Sequence, residues 1–111
     1  MRFNDRARVR AILCFGKLHS DPCLAVSGGP TPKPNRAAPA QVLVVNGASY
    51  LVDCGNGVGA QLAKAKVPLL SLRSLFITHH HSDHNADWGT LQLLAWASGR
   101  QKPIASYGPP D

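Results

Sequence analysis

Residues 78–85 read THHHSDHN and hold four of the five histidines of the chain. They follow an apolar, β-prone run at 72–78, which favours a buried strand. After them, from 87 to 98, apolar residues recur at helical spacing until Gly99, a residue type that commonly ends helices. The histidine cluster is therefore predicted to lie in the connection between a buried strand and a helix.

Alternation along an extended chain suggests how this cluster can bind metal. His79 and His81 stand at positions i and i+2, so both imidazoles point to the same side and can bind one ion, whereas His80 points away. Asp83 and His84 follow where the chain turns into the helix, and they can direct a carboxylate and an imidazole at a second ion. Two such ions can bridge a hydroxide and clamp a scissile ester, which is hydrolytic chemistry.

The donor atoms narrow the choice of metal. Nitrogen and oxygen ligands without thiolate suit zinc best, with iron, manganese or nickel as alternatives. The cluster could also be a purification tag, a solvated loop with chance histidines, or a purely structural metal site. Tags sit at termini and closed structural sites usually use cysteine, so neither matches well. His19 stands alone, and we do not expect it to be a ligand.

The segment before the cluster predicts a β-hairpin followed by a helix. Two β-rich runs at 41–45 and 49–53 are separated by Asn46 and Gly47, a dipeptide that tolerates the positive φ angles of a tight turn. Glycines at 55, 57 and 59 then form GxGxG, which matches neither phosphate-binding pattern, GxGxxG nor GxxxxGK[ST]. We interpret these glycines as a tight turn into a helix at about 58–66.

The remaining parts of the chain carry weaker patterns. Short strands are predicted at 9–15, 24–27 and 104–107. The run PTPKPNRAAP at 30–39 indicates an extended loop, because its prolines exclude regular structure.

Composition sets limits on the class of protein. Twelve basic residues against six acidic ones give a net charge of +6, which would attract polyanions such as nucleic acid. A third of the basic residues fall in the first ten positions, so much of this charge can be a solvated tail. The three cysteines, Cys14, Cys23 and Cys54, show no CxxC spacing and predict a reducing compartment. With no run long enough for a membrane span, we expect a cytoplasmic protein without membrane contact.

The motif HxHxDH, filled by His79, His81, Asp83 and His84, resembles the signature of the metallo-β-lactamase-fold hydrolases. The resemblance extends from about residue 24 to the end, through GGPTP, the hairpin leading to LVDCG, and the strand LFIT. The segments LVDCGNG, FITHHHSDHNAD and SYGPP look most like the ribonuclease Z and arylsulfatase-like branch, which cleaves phosphate or sulfate esters. The implied fold is α/β (α+β): the N-terminal half of an αββα sandwich, a mixed sheet with helices on one face. Residues 24–111 would form this partial domain, preceded by a poorly patterned basic segment at 1–23.

The resemblance also implies a role for each motif residue. His79 and His81 would bind the first zinc ion, and Asp83 and His84 the second. Asp83 would also orient or deprotonate the attacking water. Asp53, at the end of the preceding strand, would support the metal loop from behind. The alternative for Asp53 is a simple turn-forming aspartate before glycine.

The family completes its site with two further histidines and a bridging aspartate from the C-terminal half of the sandwich, and this chain departs from that pattern. No histidine follows His84, and Asp111 is the one acidic residue after Asp87. We therefore expect an N-terminal fragment of a metal-dependent hydrolase of anionic esters, RNA among them, that is inactive alone. The alternative is a non-catalytic metal-binding or interaction module built on half of the fold. Either possibility leaves one apolar sheet face exposed, which predicts association with itself or another chain.

Overall fold

The computed structural model describes residues 38–110 in full and residues 9–14 by their backbone. The predicted strand at 24–27, most of the proline loop, His19 and the basic residues before Val9 lie outside this part. The elements in chain order are β1 (Val9–Cys14), β2 (Gln41–Val45), β3 (Ala48–Val52), α1 (Val58–Lys64), a 3-10 turn (Leu69–Ser71), β4 (Leu72–Phe76), α2 (Ser82–Asn85), α3 (Trp88–Ala97) and β5 (Ala105–Tyr107). None of the described helices is long and apolar enough to cross a membrane.

The strands form one mixed sheet in the order β1-β2-β3-β4-β5. β1, β2 and β3 pair antiparallel, whereas β3, β4 and β5 pair parallel. The predicted hairpin is present: Asn46 and Gly47 have φ angles of 50° and 80°, the two positive values that a type I′ turn requires. β1 adds the segment Val9–Cys14 to the edge of the sheet, in agreement with the strand predicted there.

A single apolar core fills the space between one face of the sheet and the helices. It takes alternate residues from the strands, as period-two side-chain geometry requires, and one side of each longer helix. This arrangement confirms the expected fold class, a mixed sheet with helices on one face. Its main members are Val42, Leu51, Leu75, Val58, Leu62, Leu91 and Ala95.

The opposite face of the sheet leaves aromatic side chains in solvent. Phe76 and Tyr107 are direct neighbours on β4 and β5, and their rings stack with centroids 5.3 Å apart. Phe76 is 40% exposed and Tyr107 is 56% exposed. Within the described part of the chain, the expected exposed apolar surface is therefore present at the β4–β5 end of this face, whereas Leu43, Tyr50 and Val52 are partly buried.

α1 ends slightly earlier than its sequence pattern indicates. The helix stops at Lys64, and Lys66 adopts a left-handed φ of 56°. The amide of Val67 then bonds back to the carbonyl of Leu62 over 2.9 Å. This closing turn, rather than Pro68 alone, ends the helix.

The glycine-rich turn between β3 and α1 lies against the backbone of the histidine loop. A Cβ atom built on Gly55 would stand 2.2 Å from the carbonyl oxygen of Asp83 and 2.4 Å from Cβ of Ala38. Gly57 starts α1 with a left-handed φ of 87°. Both positions therefore need glycine for a tight strand-to-helix turn, as the sequence predicted. The prediction was wrong for Gly59, which lies inside α1, where a Cβ atom would stand 3.3 Å from Cδ1 of Leu94.

We expect Gly55→Ala to destabilise the protein by at least about 2 kcal/mol, because its methyl group must displace backbone atoms that cannot rotate away. Urea unfolding followed by circular dichroism measures the difference. Gly89→Ala in α3 is the matched control, since a Cβ there has nothing within 4 Å. It should be neutral or stabilising by up to about 1 kcal/mol. Equal stability of the two variants would show that the loop tolerates displacement.

Candidate metal centre

The parallel strands bring three chain segments to one edge of the sheet. β3, β4 and β5 run in the same direction, so the residues that follow their carboxyl ends meet at that edge. Asp53 follows β3, the histidine loop follows β4, and Gly108 follows β5. In sheets of this kind the same edge commonly carries the functional groups.

Asp53 is the buried polar group at the centre of this edge. Its backbone turns out of β3 with a left-handed φ of 61°, and the residue is 7% exposed. The carboxylate accepts a hydrogen bond from the Thr78 amide over 2.8 Å and another from the Thr78 hydroxyl over 2.9 Å. Its Oδ2 also accepts one from Nδ1 of His84 over 2.7 Å. One carboxylate thus holds both ends of the histidine loop.

The same network orients two imidazoles. A carboxylate can only accept from His84, so Nδ1 of that ring carries a hydrogen, and Nε2 is the nitrogen that the neutral ring leaves to bind a metal. The Thr78 hydroxyl gives its one hydrogen to Asp53 and therefore accepts from Nδ1 of His79, 3.0 Å away. His79 then also keeps a free Nε2. Both rings are in the tautomer that suits a metal ligand.

The side chains of the four residues predicted as ligands lie close to one another. The ring of His79 lies 4.6 Å from that of His81 and 4.0 Å from that of His84, measured between centroids. Nε2 of His84 lies 3.6 Å from Oδ2 of Asp83. Two donors to one tetrahedral zinc ion stand about 3.4 Å apart, given bonds of about 2.0–2.1 Å, so this pair is suitably spaced to share an ion.

His80 lies on the other side of the loop, as the alternation predicted. It lines a separate cavity of about 260 Å³ together with Trp88 and Tyr107. It does not join the cluster formed by His79, His81 and His84.

The cluster is not a full ligand set. Across residues 38–110, no three His, Cys, Asp or Glu side chains are arranged to hold a single ion. Nitrogen and oxygen donors of this kind suit a metal, but fewer than three of them converge on one point among these residues.

Backbone contacts fasten the loop to the turn after β3. The Cys54 amide donates to the His84 carbonyl over 2.7 Å, and the Asp87 amide donates to the Cys54 carbonyl over 3.0 Å. The Asp87 carboxylate in turn accepts a bond from the Gly57 amide over 2.8 Å. Burial, reinforced by the charges of Asp87 and Asp53, raises the pKa of the Cys54 thiol to about 12. The Cys54 thiol is therefore protonated at neutral pH in the absence of a metal ion.

Thr78 and Asp87 are the residues of this site that the sequence interpretation missed. Thr78 adjoins the motif directly, and a hydroxyl at the end of a strand was its only signal. Asp87 has an ordinary position at a helix start, and its side chain makes no capping bond there. Its contact to Gly57 spans 30 residues, which no local pattern reveals.

Comparison with known proteins gives consistent relatives. The chain is 40% identical over 86 residues to a ribonuclease Z of Mycobacterium sp. (strain KMS), which covers 76% of this chain and 30% of that protein. It is 37% identical over 84 residues to a ribonuclease Z of Methanosarcina mazei, covering 75% and 27% of the two chains. This chain thus spans less than a third of the length of these relatives.

Solved structures agree. The short form of human tRNase Z superposes with a TM-score of 0.68 and 31% identity, over 88% of this chain and 34% of that one. The metallo-beta-lactamase fold protein YhfI from Bacillus subtilis gives a TM-score of 0.64 and 30% identity, over 94% and 37%. The model of the metallo-beta-lactamase superfamily matches residues 36–100, more than half of the chain. The chain therefore belongs to the metallo-β-lactamase superfamily and is ribonuclease Z-like.

Proposed function

We propose that this chain supplies the histidine-rich half of a dinuclear metal centre that hydrolyses phosphodiester bonds in RNA. The observation that carries the proposal is the Asp53 network, which engages Nδ1 of His79 and of His84 and directs Nε2 of each ring away from it, within one cluster of donors. The ribonuclease Z relatives favour RNA as the anionic ester. They give no support to sulfate esters, which the sequence motif alone had left open.

The assignment of ligands follows the sequence prediction. His79 and His81 would hold the first ion, and Asp83 and His84 the second. Zinc suits these nitrogen and oxygen donors best, and iron or manganese suits them too. When bound, the ions would lower the pKa of a coordinated water and neutralise charge on the phosphate.

The side chains around the ions have their own parts in the proposal. Asp83 orients the attacking water and takes up its proton, which a carboxylate can do within hydrogen-bond reach of that water. Asp53 keeps the His84 ring in one orientation and one tautomer, as carboxylate partners of metal-binding histidines do. The excess of basic residues attracts the RNA backbone.

The number of ligands limits what this chain does by itself. Four donors shared between two ions leave each ion below the three protein ligands typical of a catalytic zinc. We propose that the remaining ligands come from residues outside 1–111, and that these 111 residues alone do not turn over RNA.

An alternative function rests on a different observation. The exposed pair Phe76 and Tyr107 suits a metal-binding or interaction module that pairs through its sheet face. Such a module would bind metal and partner without hydrolysis. RNA cleavage by a completed site would distinguish the hydrolase from this module.

A chimera tests the hydrolase directly. In the ribonuclease Z of Mycobacterium sp. (strain KMS), the segment matched over 86 residues is replaced by that of this chain. We expect RNA cleavage within about tenfold of the unmodified relative, and a loss of at least about 100-fold when His84→Ala is added, because a metal ligand is removed. Cleavage of a labelled RNA on a denaturing gel provides the measurement. A folded chimera that cleaves nothing would sink the hydrolase and favour the interaction module.

Metal titration of this chain tests the ligand assignment. His81→Ala should weaken Zn²⁺ binding at least about tenfold in isothermal titration calorimetry, because it removes one of the few imidazole donors. His80→Ala is the matched control and should leave the affinity unchanged, since that ring lies in a separate cavity. Equal losses from the two substitutions would contradict the alternation of the loop.

Asp53→Asn separates the role of Asp53 as a support for His84 from that of a turn former. Asparagine tolerates the left-handed backbone, so the turn is kept while the carboxylate is lost. We expect Zn²⁺ affinity to fall about 10–100-fold and the His84 ring nitrogens to change their ¹⁵N shifts. Thr78→Val is the comparison variant, because it keeps the Thr78 amide bond and the His84 contact but removes the partner of His79 Nδ1. It should change the ¹⁵N shifts of His79 and leave those of His84 as they are in the parent. Unchanged ¹⁵N shifts and affinity in Asp53→Asn would leave Asp53 as a turn residue only.

A further inference from the structure

Both tryptophans of the chain lie on one exposed strip of α3. Trp88 and Trp96 are eight residues apart with Gln92 midway, a spacing that places all three on the same side of a helix. Trp88 is 46% exposed and Trp96 is 69% exposed. Tryptophan is normally well buried, so two rings in solvent on one strip point to a ligand.

The rings border a groove between α3 and the segment that leads into β5. Its volume is about 440 Å³. Gln92 fixes the floor, since its amide donates to the Ile104 carbonyl over 2.9 Å and accepts from the Ile104 amide over 2.8 Å. The indole N–H of Trp88 donates to the Ser106 hydroxyl over 2.8 Å. The groove is therefore built from fixed side chains and leaves ring surface available.

The far end of the groove is basic. Arg100 and Lys102 line it, and none of its lining residues within 38–110 is acidic. The Arg100 guanidinium donates to the carbonyls of Leu72 and Lys102 over 2.6 and 2.7 Å. Because these bonds use two of about five N–H donors, the group is held in place with donors to spare.

The groove continues towards the histidine loop. Trp88 and Ser106 also line the cavity of about 260 Å³ that contains His80 and Tyr107. In the part of the chain that the structure describes, this second cavity has no acidic lining residue either. The two cavities together form a track of aromatic and basic side chains. It runs from Lys102 to His80, which lies between His79 and His81 in the histidine loop.

We infer that this track binds a single-stranded stretch of RNA and leads it to the histidine loop. Bases stack on Trp88 and Trp96, while Arg100 and Lys102 contact phosphates. Charge favours this occupant over a protein, because cations without acidic neighbours select a polyanion. The choice of RNA rests on the proposed function, whereas the binding itself needs no metal.

Intrinsic fluorescence tests the inference, since every tryptophan of the chain is in the track. The 111-residue chain is titrated with an unstructured RNA of about 12 nucleotides in buffer with EDTA. We expect saturable quenching, and an affinity that falls with salt by a logarithmic slope of about −0.7 for each phosphate contacted. The same sequence as a duplex should bind more weakly, because its bases are already stacked.

Substitutions in the track, compared with control substitutions outside it, test whether RNA binds there. Trp96→Ala, followed through the remaining Trp88, should weaken RNA binding at least about fivefold, and Trp96→Phe should restore part of it. Lys102→Ala should reduce the salt slope by about 0.7. The matched controls are Leu93→Ala, at another exposed apolar site of α3, and Lys64→Ala on α1; both should bind as the parent does.

Three outcomes overturn the inference: no quenching by RNA, equal losses in the variants and their controls, or fluorescence that changes with protein concentration instead of RNA. The last would assign the strip to a second copy of the chain. The RNA titration is done in EDTA and does not depend on bound metal. A negative result would therefore not count against the proposed metal centre. A chimera that does not cleave RNA would count against the hydrolase. It would not decide whether the track binds RNA, which the fluorescence titration measures separately.

Discussion

The carboxylate of Asp53 is the interaction on which the geometry of the histidine loop depends. It joins the end of β3 to Thr78 and to His84, residues that are 25 and 31 positions away. A buried carboxylate is stable only when its oxygens are satisfied, and here amide, hydroxyl and imidazole donors satisfy them. The same bonds that stabilise the charge also fix the tautomers of His79 and His84. The hydrogen bonds of Asp53 thus stabilise the fold and also orient the rings of His79 and His84.

The turn after β3 makes these contacts reachable. Left-handed backbone at Asp53 reverses the chain, so that Cys54 bonds to the carbonyl of His84 and Gly55 lies against that of Asp83. Backbone packed directly on backbone leaves no space for a side chain, which is why glycine is required at 55. The main chain of the histidine loop is therefore packed directly against the turn after β3.

The sequence predicts those features whose cause is local. Asn46-Gly47 encodes its own turn, and alternation along an extended chain separates His80 from His79 and His81. It does not predict contacts that exist only after the sheet has formed, such as Asp87 with Gly57 or Gln92 with the backbone of Ile104. It also gives no sign of α2, because a single turn of helix has no periodicity to detect. The Asp53 network lies between these cases: the motif indicates the residue, and only the tertiary structure supplies its partners.

The histidine cluster, which we propose to be an incomplete metal site, lies next to the exposed aromatic pair Phe76 and Tyr107. Phe76, on that face, is the last residue of β4, and its carbonyl accepts the amide of Asp53 over 2.7 Å. The next amide, of Ile77, bonds to the carbonyl of Tyr107, so the stacked aromatic pair lies at the foot of the histidine loop. Any layer that covers this pair must therefore approach the cluster as well. Packed sheets lie about 10 Å apart, so a layer that covers the aromatic pair would also lie near the histidine cluster. A single partner surface can therefore bury the pair and supply the further donors that we propose for the metal site.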